Sequence, residues 1–128
     1  MASTNTVTFY IPPGALVQIN GFTDGAQQKA VITGLSPSPI TLAGTGLQTT
    51  LPGTPLWSTC PVGSSGKVTV TITNSGTQQS DVITGKLSVG AGAGPSSGVS
   101  VQVVASEDST DADYNDCTLT FTSFLRKS

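Results

Sequence analysis

Histidine is absent from this chain of 128 residues. Its absence removes the commonest general base, the commonest transition-metal ligand and every nucleophilic arrangement that pairs Ser or Cys with His. Only two cysteines, Cys60 and Cys117, offer soft ligands, so we do not expect a zinc site. Those two residues could form one disulfide or could be small buried apolar side chains, and their spacing leaves both alternatives open.

Charge and long apolar runs are also scarce. Charged residues make up 9% of the chain, the formal net charge is -2, and the few cations are scattered except for Arg126 and Lys127. We therefore predict neither a basic nucleic-acid groove nor attraction to an anionic membrane, and no apolar run approaches the ~20 residues of a membrane span. The first residues lack a cationic segment followed by an apolar core, so we expect no ordinary signal peptide. The expected location is the cytoplasm, or the cell surface or exterior reached by a non-standard route.

Abundant Ser, Thr and Val, with 15 Gly and 8 Pro, favour pleated strands joined by turns. Residues 67–73 alternate strictly, with Val68, Val70 and Ile72 on one face and threonines on the other. Similar short runs recur along the chain, and no segment has a helical period. We predict an all-β fold, an antiparallel β-sandwich of about nine strands, as a single domain over residues 1–128.

Three local expectations accompany this fold. Residues 16–20 and 30–33 are predicted to be separate strands, with a turn at residues 23–25 between them. Residues 34–61 are expected to be irregular, because Pro and Gly interrupt their short apolar pieces. Trp57 could be a sugar-stacking platform, but a lone Trp in a small β domain is more often a core residue, so we expect it in the core.

The main chemical signal is an acidic loop between two predicted strands. Of the seven acidic residues in the chain, five lie in residues 107–116: Glu107, Asp108, Asp111, Asp113 and Asp116. Asn115 adds an amide oxygen. A solvated turn is the simpler alternative, but each like-charge pair at ~5 Å costs about 3 kcal/mol at an effective dielectric near 20. The hard oxygen ligands favour Ca²⁺.

An EF-hand loop does not fit this segment. Asp111, Asp113 and Asn115 mimic its first ligands, but Asp116 occupies the position of the turn Gly and Thr122 that of the bidentate Glu. The flanking segments are also predicted strands. We therefore predict carboxylates that converge in an irregular loop, where four or five of them can neutralise two calcium ions.

The loop sequence SEDSTDADYND, from Ser106 to Asp116, closely resembles the signature SEDGTDxDYND of the LecB-type calcium-dependent fucose- and mannose-binding lectins of bacteria. The segment GSSGKVTVTI that begins at Gly63, followed by Ser80 and Asp81, resembles the central strand and turn of that family. Ile11-Pro12 and Phe22-Thr23-Asp24 resemble its first hairpin, whereas residues 34–61 and 90–98 match poorly. Ser109 replaces the usual loop Gly and removes no ligand.

This resemblance implies a nine-stranded sandwich, a homodimer or homotetramer, and two adjacent Ca²⁺ per subunit that coordinate sugar ring hydroxyls directly. By position, the implied metal ligands are the side chains of Glu107, Asp111, Asp113, Asn115 and Asp116 and the backbone carbonyl of Asp24. The implied sugar-binding residues are Asp108, Asp111, Asp113, Gly25, Ala26 and Gln27. The implied partners are mannose- or fucose-containing glycans, with no catalytic residue.

Two positions of the resemblance bear on specificity and assembly. A Ser at the position of Gly25 accompanies fucose preference in the family, and a small residue without a hydroxyl accompanies mannose preference, so mannose is expected here. Family members end in a Gly whose carboxylate completes a neighbouring subunit's calcium site. This chain aligns Arg126 at that position and continues to Ser128, so the terminal carboxylate of Ser128 becomes the candidate metal ligand. Whether the chain forms the family dimer and fills the second calcium site is left open by the sequence.

Two other functions compete with a lectin. A calcium-stabilised structural or adhesive β-sandwich would use a similar acidic loop, but its metal would have no coordination position open to a sugar. A hydrolase could use Asp108 and Asp111 as acid and base. Against the hydrolase, only Asp24 and Asp81 lie outside the loop to stand across a substrate, and no His can transfer protons.

Overall fold

The computed structural model of the chain describes residues 5–74, 81–89, 99–107 and 116–124. These residues contain eight strands, which pair antiparallel throughout: β1 (Thr6–Tyr10), β2 (Leu16–Thr33), β3 (Ile40–Thr50), β4 (Leu56–Thr59), β5 (Lys67–Asn74), β6 (Asp81–Val89), β7 (Val99–Glu107) and β8 (Cys117–Phe124). The all-β prediction is confirmed. Within these ranges no helix has the length and apolarity needed to cross a membrane.

Strand β2 joins two parts of the sheet. Its first residues, from Leu16 to Ile19, lie between β4 and β8, and its last residues, from Gln28 to Ile32, lie between β3 and β5. The strand order on one side is therefore β4-β2-β8-β7-β6, and on the other it is β3-β2-β5-β1. The turn predicted at residues 23–25 is wrong. The chain keeps its direction there and absorbs the irregularity as two register shifts in the pairing with β3.

The segment of residues 34–61 is more regular than expected. It contains β3, eleven residues long, and β4. Both strands pair with β2, β3 as the strand that follows it and β4 across about 40 residues, so β2 supplies the hydrogen bonds that the local pattern of Pro and Gly did not indicate. The expectation that Trp57 is a core residue is also wrong. Its side chain is 52% exposed on the outer face, with its ring centroid 6.3 Å from that of Phe124.

The core lies between the two parts of the sheet. Phe9 on β1 and Phe121 on β8 are not on neighbouring strands, yet their ring centroids are 5.1 Å apart at an interplanar angle of 58°. This contact crosses the interior, as expected for a sandwich. Alternate residues of the strands surround it, including Val17, Ile19, Ile32, Val68, Val70, Ile72 and Leu119, all essentially inaccessible to solvent. Burying each such side chain contributes about 1.5–3 kcal/mol.

The two cysteines are both buried and both free. Cys60 donates a hydrogen bond from its sulfur to the carbonyl oxygen of Ile11 at 3.4 Å. Cys117 begins β8 and has no exposed surface. Of the two alternatives that the spacing left open, the structure therefore has small buried apolar side chains and no disulfide between them.

Candidate functional site

Four carboxylates from separate segments lie at one end of the sandwich, which we call the acidic end: Asp24, Asp81, Glu107 and Asp116. Glu107 is the last residue of β7 and pairs directly with Asp81, the first residue of β6. Asp116 precedes β8, whose first residue pairs with the neighbour of Asp24 on β2. Strand pairing thus brings these four residues to the same edge.

Backbone hydrogen bonds fix Asp24 and Asp116 relative to each other. The N–H of Asp24 donates to the carbonyl oxygen of Asp116 at 3.2 Å, and the N–H of Asp116 donates to the carbonyl oxygen of Ser106 at 3.1 Å. The Ser106 hydroxyl also donates to the carbonyl oxygen of Cys117 at 3.3 Å. These bonds extend the pairing of β7, β8 and β2 past the start of β8, so the acidic end rests on the ordered sheet.

Two opposite β-bulges shape β2 beside Asp24. From Thr23 to Gly25 β2 advances by two residues, while its partner advances by three, from Thr49 to Gly46. Between Gly25 and Gln28 the extra residue is on β2 instead. Bulges re-aim side chains and are frequent next to binding sites. The segment predicted to contact sugar, which begins at Gly25, therefore lies on the bulged part of the strand.

Side-chain hydrogen bonds hold these bulges in place. Asp24 accepts a hydrogen bond at Oδ1 from the backbone N–H of Gln48 at 3.2 Å, at a residue whose φ is +48°. The Thr23 hydroxyl donates to the carbonyl oxygen of Gly46 at 3.0 Å. Across the strand pair, the Thr45 hydroxyl donates to the carbonyl oxygen of Gly25 at 3.2 Å. The carboxylate of Asp24 thus has a local structural role.

Two acidic residues of the acidic end occupy directly opposed strand positions. Glu107 is only 4% exposed, and Asp81 stands directly opposite it on the same face of the sheet. Like charges at directly opposed positions destabilise a strand pair, and burial of a carboxylate adds a cost of desolvation. Burial, and to a smaller extent the charge of Asp116, raises the pKa of the Cys117 thiol to about 12. The Cys117 thiol is thus protonated at neutral pH.

A sequence profile of the family described as fucose-binding lectin II (PA-IIL) matches residues 9–125. The chain belongs to this family. Members of the fucose-binding lectin II family bind carbohydrate and are not enzymes, so the chain is a lectin, and the hydrolase alternative is excluded. Comparison with curated protein sequences found no match.

Solved structures of bacterial lectins share the fold. The Chromobacterium violaceum lectin CV2L, in complex with alpha-methyl-fucoside, is 28% identical with a TM-score of 0.67, covering 90% of this chain and 93% of that chain. A Ralstonia solanacearum high-affinity mannose-binding lectin is 22% identical with a TM-score of 0.67 and the same coverage. The C-terminal domain of the BC2L-C lectin from Burkholderia cenocepacia is 24% identical, with a TM-score of 0.65 and coverage of 90% and 92%.

The structure brings together only part of the predicted lectin site. Backbone pairing places Glu107, Asp116 and Asp24 at the acidic end, and Gly25 and Gln27 follow on β2, with Gln27 exposed. Among the described residues, no group of three or more His, Cys, Asp or Glu is arranged to hold a metal ion. The remaining predicted site residues, together with the side chain of Ala26, lie outside the described part of the chain: Asp108, Asp111, Asp113, Asn115 and Ser128.

Sequence reasoning missed two features of this end. Asp81 was noted as part of the family resemblance, but its position opposite Glu107 depends on the pairing of β6 with β7. The hydrogen bond from Gln48 to Asp24 links residues 24 positions apart and depends on the register of β3. Neither feature has a local sequence signal, since both residue pairs are defined only by strand register.

Proposed function

We propose that the chain binds a terminal mannose or fucose residue of a glycan through calcium at the acidic end. The observation that carries this proposal is the backbone pairing that places Asp24, Glu107 and Asp116 at one end of the sandwich, in a chain of the fucose-binding lectin II family. The 28% identity to CV2L, a lectin solved with alpha-methyl-fucoside, supports the sugar class.

The proposed metal complement is two Ca²⁺ per subunit. Side-chain oxygens of Glu107, Asp111, Asp113, Asn115 and Asp116 would hold the ions, with the backbone carbonyl of Asp24 as a further ligand. Carboxylate and carbonyl oxygens are the donors that calcium prefers, and the charge of four acidic ligands matches two divalent ions. Bound calcium would accept sugar ring hydroxyls as ligands. Asp108 would accept a hydrogen bond from the sugar, a charge-assisted contact of the stronger kind.

We further propose that mannose is favoured over fucose. Gly25 offers no hydroxyl at the specificity position, and a Cβ placed there would meet no atom within 4 Å. Its neighbour Gln27 is exposed on the bulged part of β2. The space beside Gly25 is therefore open, and a sugar hydroxyl would have no side-chain partner from this residue.

Calorimetric titration with methyl mannoside and methyl fucoside tests the proposal directly. With calcium we expect heat for both sugars and tighter binding of the mannoside, and after chelation we expect the heat to disappear. Asp113→Ala should abolish binding, because it removes a central carboxylate of the predicted ligand set. Ser109→Gly is the matched control in the same loop, because it removes no predicted ligand and should bind normally. Absence of heat with both sugars in calcium would overturn the proposal.

Self-association into a homodimer or homotetramer is part of the same proposal. Ile83 and Leu87 on β6 and Val103 on β7 share the outer face of the sheet and are 47%, 66% and 38% exposed. Clustered apolar side chains on a surface are typical of interaction sites. Sedimentation velocity should show an oligomer that Leu87→Lys weakens. Ser88→Lys adds the same charge on the opposite face and should leave the oligomer intact, whereas a monomeric wild type would contradict the proposal.

A further inference from the structure

An open cavity of about 220 Å³ lies beside the bulged part of β2. It is lined by Gln27, Gln28, Lys29, Thr73 and Asn74. Gln28 pairs with Asn74 and Lys29 pairs with Thr73, so the cavity lies where β5 ends against β2. A volume below the ~300–1,000 Å³ of typical small-molecule sites suits one small unit and not a whole oligosaccharide.

The cavity lies on the same side of the molecule as the acidic end. Asn74 is the last residue of β5, and Asp81 is the first residue of β6, so both strands have their termini at this edge. Along β2, Gln27 follows Asp24 by three positions, which spans at most about 10 Å of extended strand. Gln27 thus links the segment predicted to contact the first sugar with the wall of the cavity. A unit joined directly to that sugar can reach it.

The lining chemistry matches a neutral sugar ring. Strand register places the side chains of Lys29 and Thr73 on the same face of the sheet, and the hydroxyl of Thr73 both donates and accepts hydrogen bonds, as sugar hydroxyls do. The ammonium group of Lys29 adds donors for ring or glycosidic oxygens.

We propose that this cavity is a second sugar subsite, which holds the neutral pyranose linked to the terminal residue bound at the acidic end. The inference rests on the proposed lectin function and extends it from a monosaccharide to a disaccharide. Lys29 and Thr73 contact only the second ring. They therefore determine which linked sugars bind, without contributing to binding of the terminal residue.

The test compares each disaccharide with its own terminal monosaccharide by calorimetry in calcium. The probes are methyl α-mannoside with the (1→2)-, (1→3)- and (1→6)-linked methyl dimannosides, and methyl α-fucoside with (1→2)-linked fucosyl-galactoside. We expect at least one disaccharide to bind about fivefold to tenfold tighter than its monosaccharide, the gain from one or two net hydrogen bonds. This exceeds the twofold advantage that a dimannoside has from carrying two mannose rings.

Two variants assign the gain to the cavity. Lys29→Ala and Thr73→Val should each reduce the disaccharide gain to about twofold or less, while monosaccharide affinity stays within about twofold. Lys67→Ala is the matched control, because Lys67 is an exposed lysine at the opposite end of β5 and should leave the gain unchanged. Circular dichroism melting confirms that each variant is folded.

The outcomes separate this inference from the function on which it rests. Monosaccharide binding without any disaccharide gain, or a gain that both cavity variants retain, overturns the subsite and leaves the lectin proposal intact. Loss of the gain in the Lys67→Ala control would also overturn it, since the effect would then not belong to the cavity. Absence of binding by both monosaccharides overturns the lectin proposal, and the subsite with it.

Discussion

The interior and the acidic end of this lectin differ in what they contribute to the stability of the fold. In the interior, Phe9, Phe121 and the residues around them bury apolar surface, and each neighbour adds to the favourable free energy. At the acidic end, the acidic residues Glu107 and Asp81 stand directly opposite each other on paired strands, an arrangement that adds no apolar burial. The difference teaches that the fold draws its stability from the interior, whereas the stability of the acidic end should depend on the calcium proposed to bind there.

The largest expected change in the free energy of unfolding comes from a substitution in the interior. Phe121 is 1% exposed, so Phe121→Ala should lower the free energy of unfolding by about 3–5 kcal/mol, equally with and without calcium. Urea denaturation measures this loss. Because the alanine variant could fail to fold, Phe121→Leu gives a second measurement with an expected loss of about 1.5 kcal/mol or less. Thr120→Ala on the outer face is the control, and a loss there as large as in Phe121→Leu would contradict the assignment of the core.

At the acidic end we expect an effect whose sign depends on calcium. Glu107→Gln removes a buried negative charge opposite Asp81, so without calcium its free energy of unfolding should stay equal or rise by up to about 1 kcal/mol. In the wild type, calcium at a hundredfold excess over its dissociation constant should add about 2.7 kcal/mol. The variant should lose most of this gain. Thermal melts with calcium and with chelator measure both quantities, and a variant that keeps the full gain would remove Glu107 from the ligand set.

A smaller effect is expected between the two regions, at the bulge of β2. Gly25 has a φ of +132°, which L side chains rarely adopt, so Gly25→Ser and Gly25→Ala should share a backbone cost of about 1–3 kcal/mol. Their comparison isolates the hydroxyl. The fucose-to-mannose affinity ratio should be severalfold higher in Gly25→Ser than in Gly25→Ala by competition calorimetry. Equal ratios in the two variants would mean that Gly25 does not determine specificity.

The smallest expected change is in thiol reactivity. Cys60 belongs to the core and Cys117 borders the acidic end, and both are free and buried. The native protein should therefore react with a thiol-specific disulfide reagent only slowly at pH 8, below the raised pKa of Cys117 of about 12. In guanidinium chloride two thiols per chain should react at once. A count of zero under denaturing conditions would show a disulfide and contradict the structure.

The comparison also shows what the sequence alone can predict. The alternation of Val68, Val70 and Ile72 depends only on neighbouring residues, so both the strand and its buried face could be predicted. The continuity of β2 through residues 23–25 could not be predicted, because Gly25 and its neighbours have the composition of a turn. Their extended course depends on β3, which binds them through the hydroxyl groups of Thr23 and Thr45.

The features of the candidate site also divide into those that the local sequence predicts and those that it does not. The clustering of acidic residues and the family motif are local, and they identified the lectin family from one segment. The opposition of Asp81 and Glu107 and the cavity between β2 and β5 combine residues far apart in sequence. Such features follow from strand register, which short-range patterns do not specify.

The course of β2 has a consequence for how the molecule unfolds. One strand provides hydrogen-bonding edges to β3, β4, β5 and β8, and its central bulge adjoins the acidic end. Neither part of the sheet can therefore open completely while the other retains all its pairing partners. The protein should behave as one cooperative unit, in which amide protons of β2 exchange with solvent only through global opening. A ligand held at the edge of the sheet would then slow hydrogen exchange deep within it.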